Sequence, residues 1–335
     1  MPALHKNLTA KMQKEVIMSK EVCKKSCKTK IGGQALLEGV MMRGPEVEAM
    51  AVRLPDGTID LEQWDLPKAK WYKKVPFVRG PINFVGSMID GYKCISKSAD
   101  KSMQGLEEEP SKFEKWLTEK FGDKLMTALI FLAGVMGVGL ALLLFMYLPA
   151  LATKGIAMLF PAIEGMNIVK NIIEGVMKIV IFIGYIAATG LLKDIQRTYE
   201  YHGAEHKTIA CYEAGEELTV ENVRKHHRYH PRCGTSFMFV VMIVSIIVIS
   251  VFQIPWDVVW LRALLKLCTL PIIVAISYEL IMLSAKSDNI VTRIFTAPGL
   301  WIQRLTTREP DDKQIECAIA AFLPCIPKDN ESDKW

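Results

Sequence analysis

The sequence lacks the signatures of several large function classes. Neither G-x-x-x-x-G-K-[ST] nor G-x-G-x-x-G occurs, so neither a P-loop nor a dinucleotide-binding turn is indicated. No nucleic-acid motif is present, and basic residues are not interleaved with aromatics in a stacking pattern. Nucleic acid is therefore not an expected partner. There is no internal repeat and no low-complexity tract. The first 30 residues hold no apolar stretch of signal-peptide length, so no cleaved signal is expected. Histidine is scarce, with six in 335 residues, and five of those six lie between His202 and His230. That crowding suggests a site.

Charge is missing over long runs. Leu125 to Leu148 is 24 residues without a charge, and a helix needs about 20 apolar residues to cross a bilayer. Ile172 to Leu192 carries only Glu174 and Lys178, four apart and able to pair. Ser236 to Ile254 carries none, and Leu267 to Ala285 only Glu279. Such runs are rare in soluble domains, and they predict four membrane spans. Gly155 to Ile163 is too short to cross and reads as an interfacial or loop segment.

Basic residues in short loops set orientation. Lys193, Arg197, Lys207, Arg224, Lys225, Arg228 and Arg232 fall between the second and third spans. The loop before the second span has only Lys154 and Lys170, and the link Pro255 to Arg262 only Arg262. The basic loop is expected to be cytoplasmic, and with four spans both termini are too. The basic run Lys20 to Lys30 agrees, and the net charge of +5 needs no further explanation. Seven of the eight cysteines fall in predicted cytoplasmic parts, where thiols outnumber disulfides.

The predicted class is a membrane α-helical protein, four transmembrane helices with a small α+β cytoplasmic N-terminal region. Residues 1–30 form a basic arm and 31–122 a Gly-rich and hairpin region. The first two spans occupy 123–192, a His-rich loop 193–235, the last two spans 236–285 and a tail 286–335. Four glycines and a proline in Ile31 to Pro45 suggest a backbone that turns sharply or approaches something closely. Pro55-Asp56-Gly57 between Ala49–Leu54 and Thr58–Trp64 reads as a hairpin. Helical periodicity covers Asn83 to Ser98, and Lys112 to Phe121 reads as a helix entering the first span. The second span is expected to continue helically through Tyr199, His202 and His206. A short helix capped by Thr219 covers Val220 to Tyr229. Another, preceded by Asp311 and Asp312, covers Lys313 to Phe322.

The chemistry concentrates in Tyr201-His-Gly-Ala-Glu-His-Lys207. On a helix His202 and His206 lie about 40° apart, with Glu205 within about 100° of both. Two such imidazoles can grip one divalent metal, beside a carboxylate able to move a proton. This is the H-x-x-E-H order of the inverzincins. A catalytic zinc takes three protein ligands. His230 is the first choice for the third, with Cys233 or Glu279 as substitutes. Glu205 is the candidate general base. The competing assignments are structural. Glu205 could pair with Lys207 or Arg197, Cys233 could be a reactive thiol or an inert small residue, and Glu279 could bond Tyr278 or another span. Glu38 and Arg43, beside Gly32, Gly33 and Gly44, could form an ion pair at a turn or line a site.

Three stretches together resemble the YqhQ family of bacterial membrane proteins. They are Gly32-Gly-Gln-Ala-Leu-Leu-Glu-Gly-Val-Met-Met-Arg-Gly-Pro45, Tyr201 to Lys207, and His230-Pro-Arg-Cys-Gly-Thr235. Pro298-Gly-Leu-Trp301 and Thr306-Thr-Arg-Glu-Pro310 fit as well, and the likeness runs from about Ile31 to Phe322. The pattern matches at His202, Glu205, His206, His230 and Cys233, and not at His226 or His227. The resemblance implies a bacterial membrane protein of a family of unknown function, described as predicted metal-dependent enzymes, with no reaction attached.

The leading expectation is thus a multi-pass protein of the bacterial cell membrane with a cytoplasmic metal site. Zinc is the default, with manganese or iron as alternatives. The expected reaction is hydrolysis of a protein, peptide or lipid-linked substrate near the bilayer surface. Two other readings are a non-enzymatic scaffold or assembly partner, and a transporter, which Glu279 and the Glu174/Lys178 pair support.

Overall fold

The computed structural model describes residues 28–67, 70–103, 128–129, 131–286 and 289–327. The predicted arm up to residue 27 and the predicted helix Lys112 to Phe121 lie outside them. The chain divides into two compact units. One is Met1–Gln104 with Ile186–Val241 and Val274–Trp335, and the other is Gly105–Tyr185 with Met242–Ile273.

The first unit contains an antiparallel meander of β1 (Gly32–Leu36), β2 (Gly39–Arg43), β3 (Val47–Arg53) and β4 (Ile59–Asp65), in that order. The Ile31 to Pro45 stretch is therefore two strands rather than a run of turns. Leu36 pairs with Gly39, so Leu37 and Glu38 alone make the turn, and Glu38 takes φ 51° there. Alternation sorts the side chains. Val40, Met42, Ala49 and Ala51 face one core, and Leu36, Met41, Met50 and Val52 face another. Both faces are covered, so β2 and β3 read as continuous apolar runs.

Helix α1 (Arg79–Ser102) covers one face through Gly91, Cys94 and Ser98. A Cβ at Gly91 would lie 2.3 Å from the Gln34 amide oxygen, so a larger residue there would push the Gln34 side chain aside. Lys97 reaches Glu62 at 2.9 Å, and Lys101 pairs with Asp60 and Glu62.

Among the described residues, four helices are long and apolar enough to cross a membrane. They are α2 (Phe131–Leu159), α3 (Asn167–Thr189), α6 (Gly234–Phe252) and the Trp260–Ser284 part of α7 (Val259–Lys286). Helix α2 takes in Gly155 to Leu159 of the stretch expected to be an interfacial or loop segment, and Pro161–Ile163 forms a separate 3-10 turn. Pro149 would interrupt an α-helix, because its ring collides with the carbonyl four residues back. The wider π turn at Leu143–Tyr147 absorbs that conflict, and the helix continues to Leu159.

The fourth apolar helix starts earlier than expected, because its charges are neutralised inside the second unit. Arg262 reaches Glu174 at 2.8 Å, Asn171 at 2.6 Å and the Ile254 carbonyl at 2.6 Å. Lys266 also pairs with Glu174, and Lys178 sits 3.1 Å from it.

Helix α3 does not continue into the motif. The chain turns at Gly190 to Leu192, where Leu192 is extended at ψ 130°. A new helix, α4, spans Lys193–Glu213. Then follow α5 (Val220–Lys225), capped by Thr219, and α8 (Ile290–Thr306). Helix α5 is shorter than predicted because His226 is already extended. Helix α9 (Asp312–Phe322) opens with a capping box between Asp311 and Gln314. It buries Ile315, Ala318 and Phe322 against the sheet and α4, and the Cys317 thiol donates to the Ala51 carbonyl at 3.2 Å.

Candidate metal centre

Helix α4 carries the motif in its buried middle. Tyr201 and Gly203 to Ile209 are all enclosed, an unusual fate for a segment holding Glu, His and Lys. Backbone proximity accounts for Gly203. A Cβ there would lie 2.0 Å from the Arg308 carbonyl oxygen. The Arg308 N–H donates to the Tyr199 carbonyl at 2.9 Å, which holds that strand of tail against the helix.

Each imidazole is oriented by a backbone carbonyl. His202 Nδ1 lies 2.8 Å from the Thr306 oxygen, and His206 Nδ1 lies 2.7 Å from the Arg228 oxygen. A carbonyl only accepts, so both Nδ1 atoms carry hydrogen and both Nε2 atoms are the free ends. His202 Nε2 is 3.2 Å from Cys233 Sγ. Ligand atoms of His202, His206 and Cys233 all lie within 4.8 Å of one another. Cys233 ends the Pro231 to Gly234 turn, and its carbonyl accepts from Ser236 and Phe237 at the start of α6. A helix N-terminus favours a thiolate.

Glu205 completes the cluster. The Gly33 N–H donates to its carboxylate. A Cβ on Gly33 would lie 3.0 Å from the Glu205 carboxyl carbon and 2.6 Å from the Met41 oxygen, so β1 can approach only with glycine here. Glu205 Oε2 and His206 Nε2 are buried with no hydrogen-bond partner among the described residues. Leaving buried polar atoms unpaired costs about 1–3 kcal/mol each. Those two atoms suit an electrophile or a donor that the described residues do not supply.

His230 and Glu279 lie outside this group. His230 is clamped at its backbone by Gln303, which accepts from its N–H and donates to its carbonyl, both at 2.7 Å. Its Nε2 is 3.2 Å from Arg232 and 3.6 Å from Glu213. The Glu279 carboxylate takes two guanidinium bonds from Arg79, at 2.8 and 2.5 Å, and the Phe77 N–H at 3.1 Å. Glu38 is gripped by Arg197 at both oxygens and also accepts from the Tyr201 hydroxyl, while Arg43 reaches Asp90 at 2.9 Å and Glu48 at 3.2 Å. A second His/Cys/Glu group, Cys211, Glu216 and His226, is built differently. His226 sits 3.3 Å from the half-exposed Glu216, and burial pushes the Cys211 thiol up to about 12.

Electrostatics separate the cluster members. Burial raises the Cys233 thiol, but His202 and His206 outweigh it and hold the thiol well below its ordinary range. Burial would lower His202, yet the Cys233 thiolate raises it to about 9. Each group of the 3.2 Å His202 Nε2–Cys233 Sγ contact thus favours the charged form of the other. Burial raises Glu205 despite both histidines, and burial lowers His230. A cavity of about 460 Å³ opens onto Glu205, His206 and Cys233, with Ile31, Met41 and Met282 on its walls.

Sequence reasoning missed Gln303 and the Thr306 and Arg228 carbonyls. Gly33 was expected at a sharp turn or a close approach, the signal being its pairing with Gly32, and the structure shows the close approach. The carbonyls left none, because any residue type supplies one.

The fold and site define a chain with, among the described residues, four membrane-length apolar helices, a small antiparallel sheet and a His–His–Cys–Glu cluster in which His206 and Glu205 are buried and His202 and Cys233 half-buried. The family described as Protein of unknown function (DUF1385) matches residues 75–327, and the chain belongs to it. The chain is also 36% identical over 295 residues to "Uncharacterized protein YqhQ" of Bacillus subtilis (strain 168), covering 87% of this chain and 90% of that protein. No solved structure matches the chain.

Proposed function

We propose that this is an integral protein of the bacterial cell membrane that holds one divalent metal, zinc, between His202, His206 and Cys233 and uses it in hydrolysis. The observation that carries the reading is the pair of Nδ1–H···O=C bonds to Thr306 and Arg228. They aim both Nε2 atoms inward, where His206 Nε2 has no other described partner. Two imidazoles and a thiolate are zinc donors, and three protein ligands leave a position open. Such an ion polarises a carbonyl or phosphoryl oxygen and makes water acidic near neutral pH. To hold such an ion, His202 Nε2, His206 Nε2 and the Cys233 sulfur would all have to be unprotonated. Glu205, anchored by the Gly33 N–H, keeps Oε2 free to accept a proton from water and return it to a leaving group. The cavity walls join apolar Ile31, Met41 and Met282 to the cations Lys30, Arg43 and Arg232, a mixture that suits a peptide or lipid-linked substrate. The basic segment between the second and third apolar helices supports a cytoplasmic site and cytoplasmic termini.

The competing reading uses the same 3.2 Å contact between His202 and Cys233 as a thiolate nucleophile without metal. Metal content of purified protein separates the two. Wild type is expected to hold about one zinc per chain, His202→Ala, His206→Ala and Cys233→Ala to lose it, and Glu205→Gln to keep it. Equal, negligible metal in all five proteins would sink the metal reading and leave the thiol.

A further inference from the structure

Helix α1 is built with its apolar side outward. Its buried residues, Gly80, Gly91, Cys94 and Ser98, are small or polar. Its exposed residues include Val85 at 54%, Met88 at 61%, Ile89 at 50% and Tyr92 at 71%. Spaced i, i+3, i+4, i+7, these four fall within about 100° of one another around the helix. Trp71, Val75, Phe77 and Val78, just before the helix, are exposed as well. An apolar stripe of this length facing water is not what a soluble domain tolerates.

Contacts of the first two turns indicate what covers the stripe. A Cβ on Gly80 would meet Ala275 and Tyr278 of α7. The Asn83 amide donates to the Tyr278 hydroxyl at 3.1 Å, and the Phe84 ring stacks 5.6 Å from Phe237 of α6. Arg79 holds Glu279. Tyr278 lies six residues inside the apolar stretch that ends at Ser284, about 9 Å from that end at 1.5 Å per residue. Later, Lys97 and Lys101 fasten the helix back to Glu62 and Asp60 of the sheet. The helix therefore starts alongside two membrane-length helices and finishes on the sheet. Lys70, Lys73 and Lys74 precede it, where anionic headgroups attract cations.

We propose that the Val85–Met88–Ile89–Tyr92 face of α1 lies in the boundary between acyl chains and headgroups, a fifth membrane element that dips in without crossing. The occupant is lipid, because the opposite side of the same helix packs through Gly80 and Asn83 on α7, with Phe84 against α6, which sets α1 at the depth of their ends with the stripe facing away from them, and basic residues flank it. The Arg79–Glu279 pair then acts as the pin that holds the entry point at depth, which gives the intramembrane carboxylate a structural use. This rests on the reading of the apolar helices as membrane spans.

The test is photo-crosslinking of the full chain reconstituted in phosphatidylglycerol/phosphatidylethanolamine liposomes, read by intact mass. p-Benzoylphenylalanine replaces Met88 or Tyr92, with Lys97 as the water-facing control and Ile247, 58% exposed in α6, as the span control. Lipid adducts are expected at Met88, Tyr92 and Ile247, with at least a fivefold lower yield at Lys97. Adducts at Ile247 but not at Met88 or Tyr92 overturn the proposal alone. A covalent dimer from Met88 or Tyr92 overturns it in favour of a second copy of the chain. Absence of adducts at all positions, Ile247 included, overturns the span reading and the proposal with it.

Discussion

At the residue scale, close backbone approach matters more than helix propensity. Gly203 sits in the middle of α4, where replacing glycine with alanine ordinarily stabilises a helix by about 1 kcal/mol. Here the added methyl lands 2.0 Å from the Arg308 carbonyl oxygen. Relief requires the tail to leave the helix, which also loosens the Thr306 carbonyl that orients His202. Gly203→Ala is therefore expected to destabilise by about 1–3 kcal/mol, the usual cost of overpacking. Its melting temperature in detergent should fall below wild type, and an unchanged or raised value would show that the approach is not tight. The sequence showed His202, Glu205 and His206 because their spacing is local. It left His230 and Cys233 as alternatives, because the choice depends on distant partners. Gln303 and Glu213 engage His230, and the α6 N-terminus presents Cys233.

At the element scale, the apolar helices were legible as uncharged runs, but their boundaries were not. A run ends, in sequence, where a charge appears. Arg262 and Lys266 therefore looked like the end of the membrane segment, although Glu174 neutralises them. The π turn before Pro149 is equally invisible, because the stretch contains only apolar residues. The carboxylate is the centre of the cluster, with Lys178, Arg262 and Lys266 all paired to it. Removing it leaves three buried or half-buried cations facing one another. Glu174→Ala is expected to cost about 3–5 kcal/mol, as for one partner lost from a buried pair. Lys178→Ala should cost much less, because Arg262 and Lys266 remain on the carboxylate. Comparing the two by thermal unfolding in the same detergent checks the order. Equal losses would mean that Glu174 is not the hub.

At the scale of the whole molecule, the sheet unit is assembled from three stretches far apart in sequence, so its core depends on the tail. Helix α9 supplies Ile315, Ala318 and Phe322 to one face of the sheet, and the Cys325 thiol donates to the Met42 carbonyl at 3.2 Å. A Cβ at Gly44 would be 2.3 Å from the Cys325 oxygen, so the strand end and the tail are in direct contact. The same helix buttresses α4, where the Tyr212 and Phe322 rings lie 5.0 Å apart. A chain ending at residue 311 thus loses the apolar cover of β2 and β3 and one support of the His202–Glu205–His206 turn. Amide hydrogen exchange should report this as lost protection at Val40 to Met42 and Ala49 to Val52, while amides of α3 and α6 keep theirs. If the shorter chain keeps its β2 and β3 protection, the sheet is stable without its tail, and any loss of bound metal in that chain would have to come from the site itself.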